Sequence, residues 1–439
     1  MTSALLTSWG RYPRYAQTPH GNTWRGDLHA RLIQVTKAHG CTLPFGNGRS
    51  YGDSCLSASN HVLYMRSLDR FIQADWTTGV ITAEAGVSLD EVLRVAIPNG
   101  WFLPVTPGTK YVTLGGAVAN DVHGKNHHMR GTFGGHVRRF GLARSDTPAL
   151  ICSPEQNAEL YTATIGGLGL TGILEWVELQ LMPIRSSLIE TIHIRFNSLD
   201  EFFALSAELD PAHEYAVAWI DCLAKADSVG RGVYIVGDHA GNGRLEYYNE
   251  HGWSLPVTPP LSLINRGSLR LFNTLYYRAH KPGRNRSCIS YEPFFYPLDR
   301  ILNWNRIYGP HGFQQYQCAI PENDSARAIA ELLTVISREH QGSFLAVLKR
   351  FGHKESPGLL SFPLPGVTLA LDFPEQGETT AKLFEKLDAI VRTVAGRLYP
   401  AKDAHMLGVD FRTAYPAWER LEVLRDPALT SHFWQRVTA

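Results

Sequence analysis

Hydrophobic and polar positions change their period several times along the first 180 residues of the chain. Residues 80–85 alternate as a half-buried strand does, and the alternation ends at Gly86. Ser88 then opens a helical pattern, and Glu91 stands three residues further on, as in a capping box. This pattern predicts a helix that ends before Pro98. By the same criteria, further elements of this part are strands at 61–65 and 173–182 and a helix at 153–164.

The pattern changes after Pro183, and it changes again near Gly396. Between these points we predict strands at 189–196, 216–222, 314–320, 344–349 and 367–373, and helices at 200–209, 325–339 and 378–395. Residues 241–286 carry prolines, glycines and many aromatic residues, and we predict an irregular segment there; long segments of that kind are usually functional. The tail from 397 to 439 is predicted to be helical.

Composition places the chain among globular proteins. Its 439 residues are 44% hydrophobic and 19% charged, which is enough for a sizeable core and too long for one ordinary domain. The net charge of +1 gives no global field that would attract nucleic acid, so we expect no nucleic-acid partner.

The six cysteines are scattered without a close pair, which argues against a zinc–thiolate site and against a disulfide framework. We see no secretory signal in residues 1–20 and no apolar stretch long enough to cross a membrane. We therefore expect a cytoplasmic protein, with peripheral contact to the inner face of the membrane left open.

The first of three glycine-rich segments runs from Phe45 to Ser54. Its glycines let backbone amides converge on an anion, as a pyrophosphate requires. The segment also matches the G-x-S-x-G motif of hydrolases around Ser50, but the helix that this motif needs does not follow. A plain structural turn remains an alternative.

The second segment joins small residues at 115–119 to a histidine-rich tail. The small residues let a backbone approach a flat ligand closely. His123, His127 and His128 lack the spacing of a metal motif, so we predict no metal there and keep structural histidines as the alternative.

The third segment contains Gly167, Gly169 and Gly172 in the spacing G-x-G-x-x-G. A nicotinamide-binding site would need a strand before these glycines and a helix after them. Here the predicted order is reversed, which argues against that site.

Together these segments resemble the FAD-linked oxidase family named after vanillyl-alcohol oxidase, with its PCMH-type FAD-binding domain. The resemblance is closest to its decaprenylphosphoryl-β-D-ribose oxidase branch and covers nearly the whole chain. The phrases that carry it are G-R-S-Y-G-D at 48–53, H-G-K-N-H-H at 123–128, G-L-T-G at 169–172, A-W-I-D-C at 218–222, Q-Y-Q at 315–317, L-D-F-P at 371–374 and L-Y-P-A-K-D at 398–403.

The resemblance implies an α+β fold in which residues 1–185 and 396–439 form the FAD-binding domain and residues 186–395 an inserted α+β substrate domain. It implies FAD contacts at Pro44, Gly46, Asn47, Gly48, Arg49, Ser50, Tyr51, Gly52, Ser54, Gly108, Thr113, Leu114, Gly115, Gly116, Asn120, Asp121, His123, Gly172, Ile173 and Tyr399. It implies substrate contacts at His123, Lys125, Gln315, Gln317, Lys349, Ala370 and Lys402.

Two positions depart from the family pattern. Many relatives attach FAD through a histidine in the first loop, where this chain has Arg49, so we expect non-covalent FAD. Members of the branch carry a cysteine where this chain has Ala370, so either the thiol is not needed or the substrate differs.

The resemblance implies oxidation of the 2-hydroxyl of a polyprenylphosphoryl ribose, the first half of an epimerisation that a short-chain NAD(P)H-dependent reductase would complete. The alternative is an aldonolactone or alditol oxidase that uses oxygen. We expect Lys402, Tyr51 and Lys125 to be catalytic, Lys402 by stabilising negative charge on reduced flavin and by helping to accept the hydroxyl proton. A surface lysine paired with Asp403 is the alternative for Lys402.

Overall fold

The computed structural model describes residues 5–225, 228–248 and 252–439. Within them the α-helices are α1 Leu28–His39, α2 Leu89–Ala96, α3 Leu114–Ala119, α4 His127–Arg130, α5 Ala158–Thr164, α6 Leu199–Leu209, α7 Arg266–Ala279, α8 Tyr291–Phe295, α9 Ser325–Arg338, α10 Glu378–Thr393, α11 Gly408–Ala414, α12 Trp418–Leu424 and α13 His432–Thr438. None of the helices in these ranges is long and apolar enough to cross a bilayer.

A small parallel sheet carries the first glycine-rich segment. Its strands are β1 Thr18–Gly21, β2 Pro44–Phe45 and β3 His61–Tyr64, in the order β1-β3-β2. Helix α1 packs its apolar stripe, Leu28, Leu32 and Val35, against this sheet. The glycine-rich segment leaves β2 directly and is therefore anchored at its start.

A five-stranded antiparallel sheet follows, in the order β4-β5-β9-β7-β8. Its strands are β4 Phe71–Asp75, β5 Val80–Glu84, β7 Val137–Ala143, β8 Leu150–Cys152 and β9 Ile173–Gln180, and the short β6 Trp101–Phe102 pairs with β10 Met182–Pro183 nearby. The capping box of α2 is confirmed, because the Ser88 hydroxyl accepts from the Glu91 amide while the Glu91 carboxylate accepts from the Ser88 amide. The predicted helix at 153–164 begins only at Ala158, and Ser153 lies in a turn before it.

The largest sheet has eight strands in the order β15-β11-β13-β12-β18-β19-β17-β20. They are β11 Leu188–Phe196, β12 Tyr215–Ile220, β13 Gly232–His239, β15 Arg284–Ser290, β17 Phe313–Pro321, β18 Val347–Phe351, β19 Gly366–Pro374 and β20 Arg397–Leu398; β14 Trp253–Ser254 and β16 Ile301–Leu302 form a separate pair. Helices α6, α9 and α10 cover one face through residues such as Phe202, Leu332 and Leu387. The other face is free to line a cavity.

The C-terminal tail contacts more than one part of the molecule. β20 adds to the edge of the eight-stranded sheet beside β17, and Phe411, Phe433 and Trp434 join the core of that sheet. Leu429 instead packs with Leu28 near α1. The tail is thus held by the large sheet as well as by the N-terminal part, and the division at residues 185 and 396 stays a prediction.

The prediction of an irregular segment at 241–286 is wrong over its second half. Helix α7 begins at a capping box between Asn265 and Ser268, and β15 begins at Arg284. The apolar positions of α7 are divided between a buried side and an exposed side, which obscures the usual single stripe. Residues 249–251 of the segment lie outside the described residues.

Candidate active site

A cavity of about 560 Å³ lies between the glycine-rich segments and the free face of the eight-stranded sheet. Alternate residues of the strands face it: Gln315 and Gln317 line the cavity, whereas Tyr316 and Cys318 between them lie in the helix-covered core. The strand period of two thus sorts each strand into a cavity face and a core face.

Most residues predicted from the sequence meet at this cavity. Those that line it are Pro44, Gly46, Asn47, Gly48, Arg49, Ser50, Tyr51, Ser54, Gly108, Thr113, Gly115, Gly116, Asn120, His123, Lys125, Gly172, Gln315, Gln317, Lys349, Ala370, Tyr399 and Lys402. Residues more than 300 positions apart in the chain are therefore neighbours.

Four predicted cofactor contacts do not line the cavity. Leu114 and Ile173 are fully buried in separate hydrophobic clusters. The Asp121 carboxylate accepts from the Gly134 amide and from the hydroxyls of Ser356 and Ser361. Gly52 lies against the backbone of Asp403, where an added Cβ would come 1.7 Å from the carbonyl oxygen. These four residues stabilise the segments that form the cavity wall without lining the cavity themselves.

Lys402 lies at the polar end of the cavity and is not a solvated surface lysine. Its ammonium nitrogen is 3.7 Å from the centroid of the Tyr51 ring. Burial lowers the pKa of Lys402, while the charge of Asp372 partly opposes that shift. Asp403 is engaged with Arg436 instead, which excludes the surface pair considered above. Lys402 is therefore placed to gain and lose a proton near neutral pH.

Asp372 is a site residue to which no role was assigned from the sequence. It is fully buried, and one carboxylate oxygen accepts from the Gln315 amide at 2.6 Å while the other has no partner. Burial raises its pKa. The signal was a single carboxylate inside the apolar strand pattern at 367–373, since buried charges are rare without a purpose.

His123 connects two more polar groups. The Lys349 ammonium lies 2.7 Å from His123 Nδ1 and donates to the Gly124 carbonyl oxygen, and the Gln317 amide lies 3.1 Å from His123 Nε2. Burial lowers the pKa of both His123 and Lys349, and each is lowered further by a neighbouring lysine. His123, Gln317 and Lys349 include no carboxylate. They can therefore hydrogen-bond an uncharged ligand or an anionic one.

His127 and His128 face other partners. The Gly352 amide donates to His127 Nδ1, and His128 Nε2 contacts the carbonyl oxygen of His213. The two rings are therefore structural and do not converge with His123.

Lys125 is a half-buried cation beside aromatic rings. Its ammonium lies 5.8 Å and 5.9 Å from the ring centroids of Phe294 and Phe295 and donates to the Phe295 carbonyl oxygen. Burial lowers the pKa of Lys125 to about 8. An anionic ligand would restore the pKa of this group and would gain a strong charge-assisted hydrogen bond.

The far part of the cavity is apolar. Trp219 and Ile235 of the large sheet and Phe344 line it together with Phe272 and Tyr276 of α7. An adjacent face of α7 exposes Leu271 and Leu275, whose exposed fractions are 63% and 59%. This apolar end was missed because its wall comes from a segment predicted to be irregular.

The chain is similar to known proteins that include FAD-linked oxidases. Residues 27–153 match a family model described as an FAD binding domain. The chain is 34% identical to decaprenylphosphoryl-β-D-ribose oxidase of Mycolicibacterium smegmatis, over 97% of this chain and 95% of that protein. Mouse L-gulonolactone oxidase and human Δ24-sterol reductase are 28% and 24% identical, over only 33% and 34% of the chain and 32% and 28% of those proteins.

The chain belongs to the FAD-linked oxidase family. It is an FAD-dependent oxidoreductase, and FAD is its cofactor. The lactone oxidases are distant relatives that match about a third of the chain.

The cavity wall fits a bound dinucleotide in two respects. An added Cβ at Gly46 would come 2.6 Å from Thr113 Oγ1 and would force a shift, and one at Gly115 would come 3.1 Å from the Ala85 methyl group and would fit only tightly. The absence of side chains at these glycines therefore keeps the backbone of both segments close to the cavity. The Arg49 Nε and Ser54 Oγ atoms are buried without a partner, as expected of donors that await a ligand.

Proposed function

We propose that this oxidase oxidises the 2-hydroxyl of a polyprenylphosphoryl ribose to the keto sugar. The observation that carries the proposal is the division of one cavity into a polar end lined by Lys125, Lys349 and Lys402 and an apolar end lined by aromatic residues. A sugar, a phosphate and an isoprenoid chain require these environments in that order. The relative that matches 97% of the chain carries decaprenylphosphoryl-β-D-ribose in its name.

Bound FAD supplies the acceptor for the hydride that leaves the carbinol carbon. Pro44, Gly46, Asn47, Gly48, Ser50, Ser54, Gly108, Thr113, Gly115, Gly116, Asn120, Gly172 and Tyr399 would hold the cofactor. Arg49 lies 3.9 Å from the centroid of the Trp9 ring, and it would bind by charge rather than by a covalent link.

Lys402, Lys349 and Lys125 have separate roles in the reaction. Neutral Lys402 accepts the hydroxyl proton with Tyr51 beside it, and once protonated it stabilises the negative charge left by reduction. Gln315, Gln317, His123 and Lys349 orient the sugar by hydrogen bonds. Lys125 binds the phosphate next to the apolar end of the cavity.

The substrate test is anaerobic incubation of the purified yellow protein with ribosyl and arabinosyl polyprenyl phosphates. We expect bleaching of the flavin by the ribosyl compound. Bleaching by a lactone but by neither lipid would overturn the proposal in favour of an aldonolactone oxidase.

One variant and one control test the role of Lys402. Lys402→Ala should retain flavin and lose its reduction by substrate, whereas Lys386→Ala, at an exposed surface ion pair, should behave as the unchanged protein. Normal reduction in Lys402→Ala would exclude the lysine from proton transfer.

We propose further that the mouth of the cavity contacts the membrane peripherally. Exposed Leu271 and Leu275 of α7 lie among the exposed cations Arg266, Arg270 and Arg278, a combination that suits anionic lipid surfaces. A lipid substrate could then enter the apolar end without crossing water. The keto sugar would leave to a separate NAD(P)H-dependent reductase.

Vesicle binding tests the membrane contact. Replacing Leu271 and Leu275 together by aspartate should weaken binding to vesicles that contain phosphatidylglycerol by more than about tenfold, because each leucine contributes about 1.5–3 kcal/mol when buried. Leu407→Asp, at a leucine that is 57% exposed outside α7, is the control. Equal vesicle binding by the unchanged protein, the double variant and Leu407→Asp would refute the membrane contact at α7.

A further inference from the structure

Three histidines meet on the small parallel sheet, away from the cavity. His20 of β1 and His61 of β3 lie on the same face, because Thr18 is the partner of His61 in the parallel register and the side-chain period is two. His39 is the last residue of α1, which covers that face. One ring nitrogen of each histidine lies within 4.8 Å of those of the other two.

The three rings contact one another directly. His20 Nε2 lies 2.9 Å from His61 Nδ1, and the rings of His39 and His61 stack with centroids 3.5 Å apart. Bringing three imidazoles into one corner crowds similar dipoles. An ion that accepts a lone pair from each ring would offset this crowding.

We propose that His20, His39 and His61 bind one divalent transition-metal ion of the zinc type. Imidazole nitrogens are preferred ligands of such ions. With Zn–N bonds of about 2.05 Å and tetrahedral angles, two ligand nitrogens stand about 3.4 Å apart. The His20–His61 pair would need to open by a few tenths of an ångström, and the His39 ring would need to turn out of its parallel stack with His61 so that its nitrogen faces the same ion. The fourth position would hold water.

The surroundings act on a cation in opposite directions. His39 lies at the C-terminal end of a twelve-residue helix, where the unpaired carbonyl groups favour positive charge. Arg31 of the same helix is close enough to act on the charge of His20 and opposes binding. The site is therefore expected to bind zinc with an affinity that surface charge can tune.

The position gives such an ion a structural role. β3 pairs with both β1 and β2, and β2 leads directly into the first glycine-rich segment. An ion that joins β1, β3 and α1 would stabilise the base of that segment. This role is independent of the proposed substrate.

The test uses the FAD-loaded protein, freed of metal with a chelator and titrated with ZnCl₂ in a calorimeter. We expect one ion per chain and a rise in melting temperature with zinc concentration. His39→Gln, at a partly exposed helix end, should weaken zinc by at least about tenfold, since loss even of an outer partner of a ligand costs about 10–100-fold. His61→Gln provides the same test at a second position, and His353→Gln, 76% exposed elsewhere, is the control.

Arg31→Gln should change affinity in the other direction and tighten zinc binding. In crystals soaked with zinc, an anomalous peak should lie between the three rings. Absence of saturable binding, binding that survives both His39→Gln and His61→Gln, or a peak at another site would overturn the proposal. Flavin content and circular dichroism establish that each variant is folded.

Discussion

Replacing Asp372 by asparagine should move the pH dependence of flavin reduction to lower pH. The unmodified carboxylate raises the pKa of Lys402 against the opposing effect of burial. The substitution keeps the size of the side chain and an oxygen that can accept from the Gln315 amide, but it removes the charge. Lys402 should then lose its proton at a lower pH.

The size of the shift follows from the charges. Two unit charges about 5 Å apart interact by about 3 kcal/mol at an effective dielectric constant of about 20. That energy corresponds to about 2 pH units, and solvent that enters the cavity would reduce it to about 1. If neutral Lys402 is the proton acceptor, the rate rises with pH through its pKa, and this rising limb shifts downward.

The assay is the rate of anaerobic flavin reduction, measured in single turnovers across the pH range. At low pH Asp372→Asn should be faster than the unmodified enzyme, a gain that mere structural damage cannot produce. Asp388→Asn is the control, because Asp388 accepts from the Tyr316 hydroxyl on the core side of the sheet. A rising limb that stays in place or moves upward in Asp372→Asn would refute the assigned role of Lys402.

Three further outcomes are expected. Gly52→Ala should lower the free energy of unfolding by about 2 kcal/mol or more in urea, because its Cβ would overlap the Asp403 carbonyl, whereas Gly21→Ala meets no atom and should be neutral; equal stability of the two would contradict the packing. Precipitation with trichloroacetic acid should release all flavin into the supernatant, and a yellow pellet would contradict non-covalent binding. Burial alone would lower the pKa of His405, but the charges of Asp403 and Asp388 raise it above the value of an unfolded histidine. Protonated His405 therefore stabilises the folded state below the unfolded pKa, and this stabilisation is lost as the pH rises through the folded pKa. Urea unfolding of His405→Gln should not show that loss, and a similar loss in the variant would assign it to another group.

The sequence predicted the local elements wherever one signal dominated. The box at Ser88 and Glu91 and the alternation at 314–320 and 367–373 appear in the structure within a residue or two. It failed at α7, whose apolar residues serve both a cavity and an exposed surface. Local periodicity cannot separate these two uses, because only the tertiary contacts divide the helix surface.

The chemistry of the site was only partly visible for a related reason. Glycine segments and the lysine at 402 stand out in the sequence, but Asp372 became a site residue only when β19 was placed beside β17. His20, His39 and His61 are likewise unremarkable in the sequence, with spacings of 19 and 22 residues that match no metal motif. Groups assembled by strand pairing and helix packing leave no short-range signal.

Strand register is consequently the shared requirement of folding and catalysis in this enzyme. β17 pairs with β19 so that Gln315 is opposite Asp372 and Gln317 opposite Ala370. A slip of the side-chain pattern by one residue would turn both glutamines into the apolar core and would place Tyr316 in the cavity. The helix-covered core excludes that slip because each buried amide would lose its partner, at a cost of about 1–3 kcal/mol each. The same hydrophobic core that stabilises the sheet therefore directs the polar residues into the cavity.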